Sequence, residues 1–79
     1  MLLDVIKVEP LDDYKILVTF ENNEIKEFDV KVLLDRPRWQ ELKDKNLFST
    51  VKVYEGTAQW VHGQDISPEW LYEDGTIVK

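Results

Sequence analysis

The chain contains no cysteine, so neither a disulfide nor thiol chemistry contributes to its fold or to a reaction. That composition fits a reducing compartment, and a cytoplasmic location is the expectation. There is one histidine, His62, and glycine and proline occur three times each. Gly56, Gly63 and Gly75 stand too far apart to form a phosphate-cradling loop, and no lysine–serine pair follows them. No apolar run approaches the roughly 20 residues needed to cross a bilayer as a helix. The opening residues, MLLDVIKVEP, carry no basic leader and alternate as a strand does, so no signal peptide and no membrane partner are expected. Basic residues are also scarce, 10 against 16 acidic ones, for a net charge of −6. This balance disfavours non-specific binding to DNA, RNA or an anionic membrane, and any DNA contact is expected to be indirect.

At 79 residues the chain has room for one small core, and residues 1–79 read as a single domain. Fourteen valines and isoleucines, with three residues each of Trp, Phe and Tyr, favour sheet, because branched and aromatic side chains pack well on a pleated surface. Residues 3–9 predict a first strand with Ile6 and Val8 on one face, closed by Pro10, and residues 10–13 (PLDD) a turn. A second strand over 14–21 places Tyr14, Ile16, Val18 and Phe20 on one face. Asn22 and Asn23 mark a reversal before a third strand with Phe28 and Val30 inward. A two-residue turn there would set Val18 against Glu27. A three-residue loop or a nearby bulge sets Val18 against Phe28 and Ile16 against Val30, which keeps acids out of the core.

Val32, Leu33 and Leu34 then lead off the sheet, and Asp35-Arg36-Pro37 reads as a capped helix start. Trp39 and Leu42 would dock that short helix, which ends near residues 43–45. A two-residue turn at Glu55–Gly56 pairs Val53 with Ala58 and Val51 with Trp60 on one face. His62-Gly63-Gln64 forms a polar elbow, and Ser67-Pro68-Glu69 starts a second helix that docks through Trp70 and Leu71 and ends by Gly75. The last residues, TIVK, are compatible with fraying or with an edge strand. The expected fold is α+β: about five mainly antiparallel strands, ordered strand-strand-strand-helix-strand-strand, with one or two short helices packed on them.

Chemistry is sparse. His62, Asp65 and Glu69 are the grouping that invites a metal or acid–base reading, beside the plain one in which they serve a loop and a helix terminus. Asp12 and Asp13 are neighbours in a turn and Asp29 has outward parity, so they do not form the spaced carboxylate pair of a glycosidase. No catalytic residue, cofactor or metal is expected. Residues 31–45 carry five basic and three acidic side chains, opposite to the chain as a whole. Arg36 and Arg38 beside Trp39 could anchor a protein partner or contact phosphate, while the plain reading is a solvated helix with Trp39 in the core. On the outward parity, Phe48, Tyr54 and Leu17 would offer an apolar face to a protein partner or a second copy.

The chain resembles a family of small bacterial proteins known only as domain of unknown function 2442. The residues that carry the resemblance are Val8-Glu9-Pro10-Leu11-Asp12-Asp13-Tyr14, Val18-Thr19-Phe20-Glu21-Asn22, Phe28-Asp29-Val30 with Leu33-Leu34, then Leu42, Leu47-Phe48 and Val51. It is most specific at residues 60–72, WVHGQDISPEWLY. Relatives tend to have proline and asparagine in place of Val61 and His62, and a glycine near residues 36–38. The resemblance implies a small antiparallel α+β domain with no established chemistry. It also implies a partner, since some relatives are fused to helix-turn-helix regulatory domains or encoded beside suspected toxin–antitoxin proteins. The expected function is a non-enzymatic interaction or self-associating domain. The alternatives are a small enzyme around His62, Asp65 and Glu69, and an accessory nucleic-acid contact through residues 31–45.

Overall fold

The structure of the chain, a computed structural model, describes residues 3–78. Residues 1–2 of the leader reading and Lys79 of the final segment lie outside them. Two antiparallel sheets share one core. The first is built from β1 (Val5–Pro10), β2 (Lys15–Phe20), β3 (Ile25–Asp29) and a terminal β7 (Thr76–Ile77), in that spatial order. The second is β4 (Lys52–Tyr54), β5 (Thr57–Gln59) and β6 (Asp65–Ile66). Between them in sequence lie one-turn 3-10 segments at Val30–Leu33 and Gln40–Lys43 and a short helix α1 (Lys45–Phe48); α2 (Pro68–Asp74) follows β6. No helix among the described residues is long and apolar enough to cross a membrane.

Three hairpin loops share one design. Leu11 N–H bonds to Lys15 O, Phe20 N–H to Glu24 O and Trp60 N–H to Gln64 O, each closing a three-residue loop. The third loop residue has positive φ in every case: Tyr14 at 59°, Asn23 at 72° and Gly63 at 94°. That is the left-handed step a three-residue hairpin needs. Glycine and asparagine adopt it easily, whereas tyrosine does so at a cost. Two contacts hold Tyr14 there: its hydroxyl donates to Lys43 O, and its ring meets Phe48 edge-on at 5.3 Å.

The parity argument for β2 and β3 holds, with the register moved by two. Ile16 faces Phe28, and Val18 faces Lys26, because the loop takes Glu21 and releases Glu24. Lys26 therefore sits on the core-facing parity. It snorkels under α2, its ammonium 3.7 Å from the centre of the Tyr72 ring and donating to Tyr72 O, where it supplies the cation that the last turn of α2 lacks. β1 departs from expectation at one residue. Val5 pairs with Phe20 and Lys7 with Thr19, so Ile6 is a bulge and lies 54% exposed, while Val5 takes the buried place predicted for it.

The β4–β5 hairpin has the predicted register, Val53 opposite Ala58, across a turn with Glu55 at φ 48° and Gly56 at 79°. Both left-handed positions identify a type I′ turn. Gly56 O also accepts from Val5 N (2.9 Å), which ties the second sheet to the edge of the first. A Cβ on Gly56 would stand 2.7 Å from Asp4 Oδ1, so both its φ and this close approach call for glycine. β6 and β7 add two strands to the predicted five, and the final segment thus forms an edge strand, with Lys26 opposite Ile77.

The helix expected from Asp35 is not there. Residues 34–39 turn instead, and α1 is capped nine residues later, with Asp44 accepting from Asn46 N at 2.8 Å. Leu42 is nonetheless buried and Trp39 half-buried, so the docking residues were legible while the element was not. α2 is capped as expected, with Ser67 Oγ accepting from Trp70 N at 3.1 Å and proline in the first turn. Leu71 points into the core, and its neighbours clamp the first sheet: Trp70 meets Phe28 at 5.8 Å and Tyr72 meets Phe20 at 5.3 Å, both edge-on. Ser67→Ala removes the cap and is expected to cost about 1 kcal/mol, read as a lower urea midpoint with unchanged cooperativity.

Candidate functional site

The residues proposed for interaction do not form one patch. Phe48 is a correction: it is buried, not outward, because α1 replaces the strand assumed at its position. It packs between Tyr14 and Trp60, and its carbonyl accepts from Trp60 Nε1 at 2.9 Å. Leu17 is half-buried on the outer face of the first sheet, opposite Glu9 and Glu27. Tyr54 is exposed beside the turn of the second sheet. Arg36 and Arg38, two residues apart, serve different places.

Arg36 lines a groove of about 360 Å³ between the end of β3 with the 3-10 turn after it and α2. Its apolar wall is Phe28, Val32, Leu33 and Trp70, and its polar rim is Asp29, Arg36 and Asp74. Val32 is 65% exposed, which is unusual for a valine beside buried Val30 and Leu33. The 3-10 turn causes it: with three residues per turn, Val30 and Leu33 share the inner face and Lys31 and Val32 face outward. Asp29 is neutralised by Lys31 at 3.3 Å, and Asp74 accepts from Trp70 Nε1 at 2.6 Å. Among the described residues, no ion pair engages Arg36 or Asp74.

Arg38 belongs to a polar knot at the elbow. Its guanidinium lies over Gly63, where a Cβ would come within 3.2 Å. Gln64, 2% exposed, donates from Nε2 to Arg38 O (2.9 Å) and to Glu41 Oε2 (2.6 Å). His62 Nδ1 lies 2.7 Å from the same carboxylate oxygen, a contact that places a proton on Nδ1 because an ionised carboxylate only accepts. The Gln64 hydrogen bond first, and the His62 one second, hold the Glu41 carboxyl below its usual range. Glu41 therefore contributes stability at neutral pH that is lost as pH falls through its depressed range. Glu41→Gln is expected to flatten the acid limb of stability against pH, measured by urea unfolding at stepped pH. The slope that Asp13 and Glu24 supply remains, since both are also lowered, Asp13 by Lys31 and Glu24 by Tyr72.

The carboxylates considered for chemistry are used otherwise. His62 pairs with Glu41 rather than with Asp65 and Glu69, and the described residues contain no group of three His, Cys, Asp or Glu able to hold a metal. Lys31 Nζ joins Asp13 (2.8 Å) to Asp29, which fixes the 12–14 loop to β3. Of the basic segment, Lys31 and Lys43 face acids, Lys43 reaching Asp35 at 3.8 Å. Sequence reasoning missed Val32, Trp70 and Asp74 as partners of Arg36, since their meeting depends on how α2 lies across β3. No local signal marked Val32, which reads as one more apolar residue of the 30–34 stretch until the fold exposes it.

Two antiparallel sheets over one core, with a short helix docked on them, define a small α+β domain. The chain belongs to the family described as "Protein of unknown function (DUF2442)", whose profile matches residues 5–76. No curated protein and no solved structure matches it.

Proposed function

We propose that the chain is a non-enzymatic protein-interaction domain whose contact surface is the groove along α2. The observation that carries this is the combination at one place of exposed Val32, half-buried Trp70 and an Arg36 with no acidic partner among the described residues. Tryptophan and arginine are the side chains that contribute most when an interface buries them, and an apolar floor with a charged rim is the usual anatomy of such a surface. The mechanism is burial of the Phe28–Val32–Trp70 wall with Arg36 setting orientation. Arg38 takes a supporting part by holding the elbow. A nucleic-acid contact through residues 31–45 has less support, because Lys31 and Lys43 already face carboxylates and α2 adds Asp74 to the same rim.

The test is a photo-crosslinking amino acid placed at Val32 in the native cell, with Lys7 on the charged face of β1 as the comparison. A discrete protein adduct from position 32 and none from position 7 is expected. Equal labelling from both, or none from position 32, overturns the assignment.

A further inference from the structure

On the reading just given, we infer that the groove along α2 is self-complementary and that its occupant is a second copy of this chain, related by a two-fold axis. The charge of the protein is divided along the sequence. Residues 31–45 have five basic and three acidic side chains. Residues 63–78 contain no Lys, Arg or His and four acids, Asp65, Glu69, Glu73 and Asp74. The groove is where these two segments meet: Arg36 rims one side and Asp74 the other, with Val32, Phe28 and Trp70 between them. Although they share a groove, they are not within ion-pair distance of each other, and no salt bridge among the described residues satisfies either.

A uniformly basic partner would satisfy Asp74 and be repelled by Arg36; a uniformly acidic one would do the reverse. An occupant that satisfies both carries one charge of each sign with apolar surface between. The same groove, turned about a two-fold axis, meets that description: Arg36 of each copy faces Asp74 of the other, and Val32 and Trp70 meet at the centre. Two such ion pairs flanking an apolar strip are partly desolvated, where charge complementarity sets orientation and excludes other pairings. The place of Asp74 on α2 also fits this arrangement. Asp74 sits at the helix end that prefers cations, a local cost that a facing arginine offsets.

Sedimentation velocity of the full chain over increasing concentration tests this directly. The mass is expected to rise from monomer toward twice that value. Arg36→Glu and Asp74→Lys, each made alone, are expected to weaken association at least about tenfold, and mixing the two variants is expected to restore it, since the mixed pair has one Arg36–Asp74 contact and one inverted contact. Circular dichroism checks that each variant is folded. Val32→Asp, at an exposed position, gives an independent variant with the same expected loss. A wild-type chain that stays monomeric, an association that none of the variants alters, or variants that do not recombine on mixing would each overturn the inference. Should the chain be monomeric while position 32 still captures a different protein in the cell, the interaction surface stands and only the identity of the occupant is wrong. If position 32 captures nothing as well, both fail.

Discussion

Trp60→Ala is expected to leave the chain at the edge of unfolding at 25 °C. Trp60 is 1% exposed and sits inside an aromatic chain, edge-on to Trp39 at 5.6 Å and tilted against Phe48 at 5.9 Å, with Phe48 in turn against Tyr14. Its Nε1 donates to Phe48 O, which ties β5 to α1. Truncating a buried tryptophan costs about 3–5 kcal/mol. A domain of this length has about 4–12 kcal/mol in all, at roughly 0.05–0.15 kcal/mol per residue. The loss is therefore a large fraction of the total, and it falls where both sheets and the 40–48 segment converge. Trp60→Phe separates the two contributions: it keeps ring contact, gives up the hydrogen bond, leaves Phe48 O with the longer bond from Val51 N (3.4 Å), and is expected to cost about 1–2 kcal/mol. Urea unfolding followed by far-ultraviolet circular dichroism measures both. An alanine variant within about 1 kcal/mol of wild type would show that the aromatic chain is not what joins the sheets.

What the sequence made legible follows from how local each determinant is. The β4–β5 hairpin was readable because Glu55-Gly56 is both the turn signal and the parity marker, so one dipeptide sets the register. The parity of β2 against β3 was readable for the same reason that its register was not. Alternation tells in from out, yet it repeats every two residues and leaves a two-residue slide open; Asn23 at positive φ decides the slide. The Ile6 bulge left no trace because Val5 and Ile6 are equally apolar, so either fills the inward place. Asp35-Arg36-Pro37 has the residues of a helix start, but residues 30–43 are folded by 3-10 turns that dock Leu33, Leu34 and Leu42, and tertiary packing overrides local preference there. Reading residue 48 as part of a strand then sent Phe48 to the wrong face. The candidate site shows the same division. Arg36 could be picked out by its local charge, whereas the groove needs β3, a 3-10 turn and α2 together, and the elbow knot needs Arg38 and Glu41 brought more than 20 residues to His62 and Gln64.

Gln64→Ala is the second substitution expected to have a large effect, and it reports on that knot. Gln64 is the buried polar side chain of the core, and its amide reaches two groups of another segment at once. Removing it leaves Arg38 O without this donor and vacates a buried position, at a cost of about 1–3 kcal/mol, while Glu41 keeps the His62 contact and its access to water. Gln64 Oε1 is buried with no partner among the described residues, so its removal relieves a desolvation cost and offsets part of this loss. Gln64→Glu discriminates between packing and polarity. It preserves the shape but sets a second carboxylate, at a buried position, within hydrogen-bond reach of Glu41, and burial beside a like charge favours the neutral form of residue 64. The folded state of that variant holds a proton that the unfolded chain releases, so its stability falls as pH rises above the ordinary carboxylate range and recovers on acidification. Wild type loses the Glu41 contribution in the opposite direction. Unfolding midpoints of the two proteins plotted against pH are therefore expected to converge toward acid and to diverge toward neutrality. Parallel curves would mean that Gln64 fills space without organising the Glu41–His62 pair.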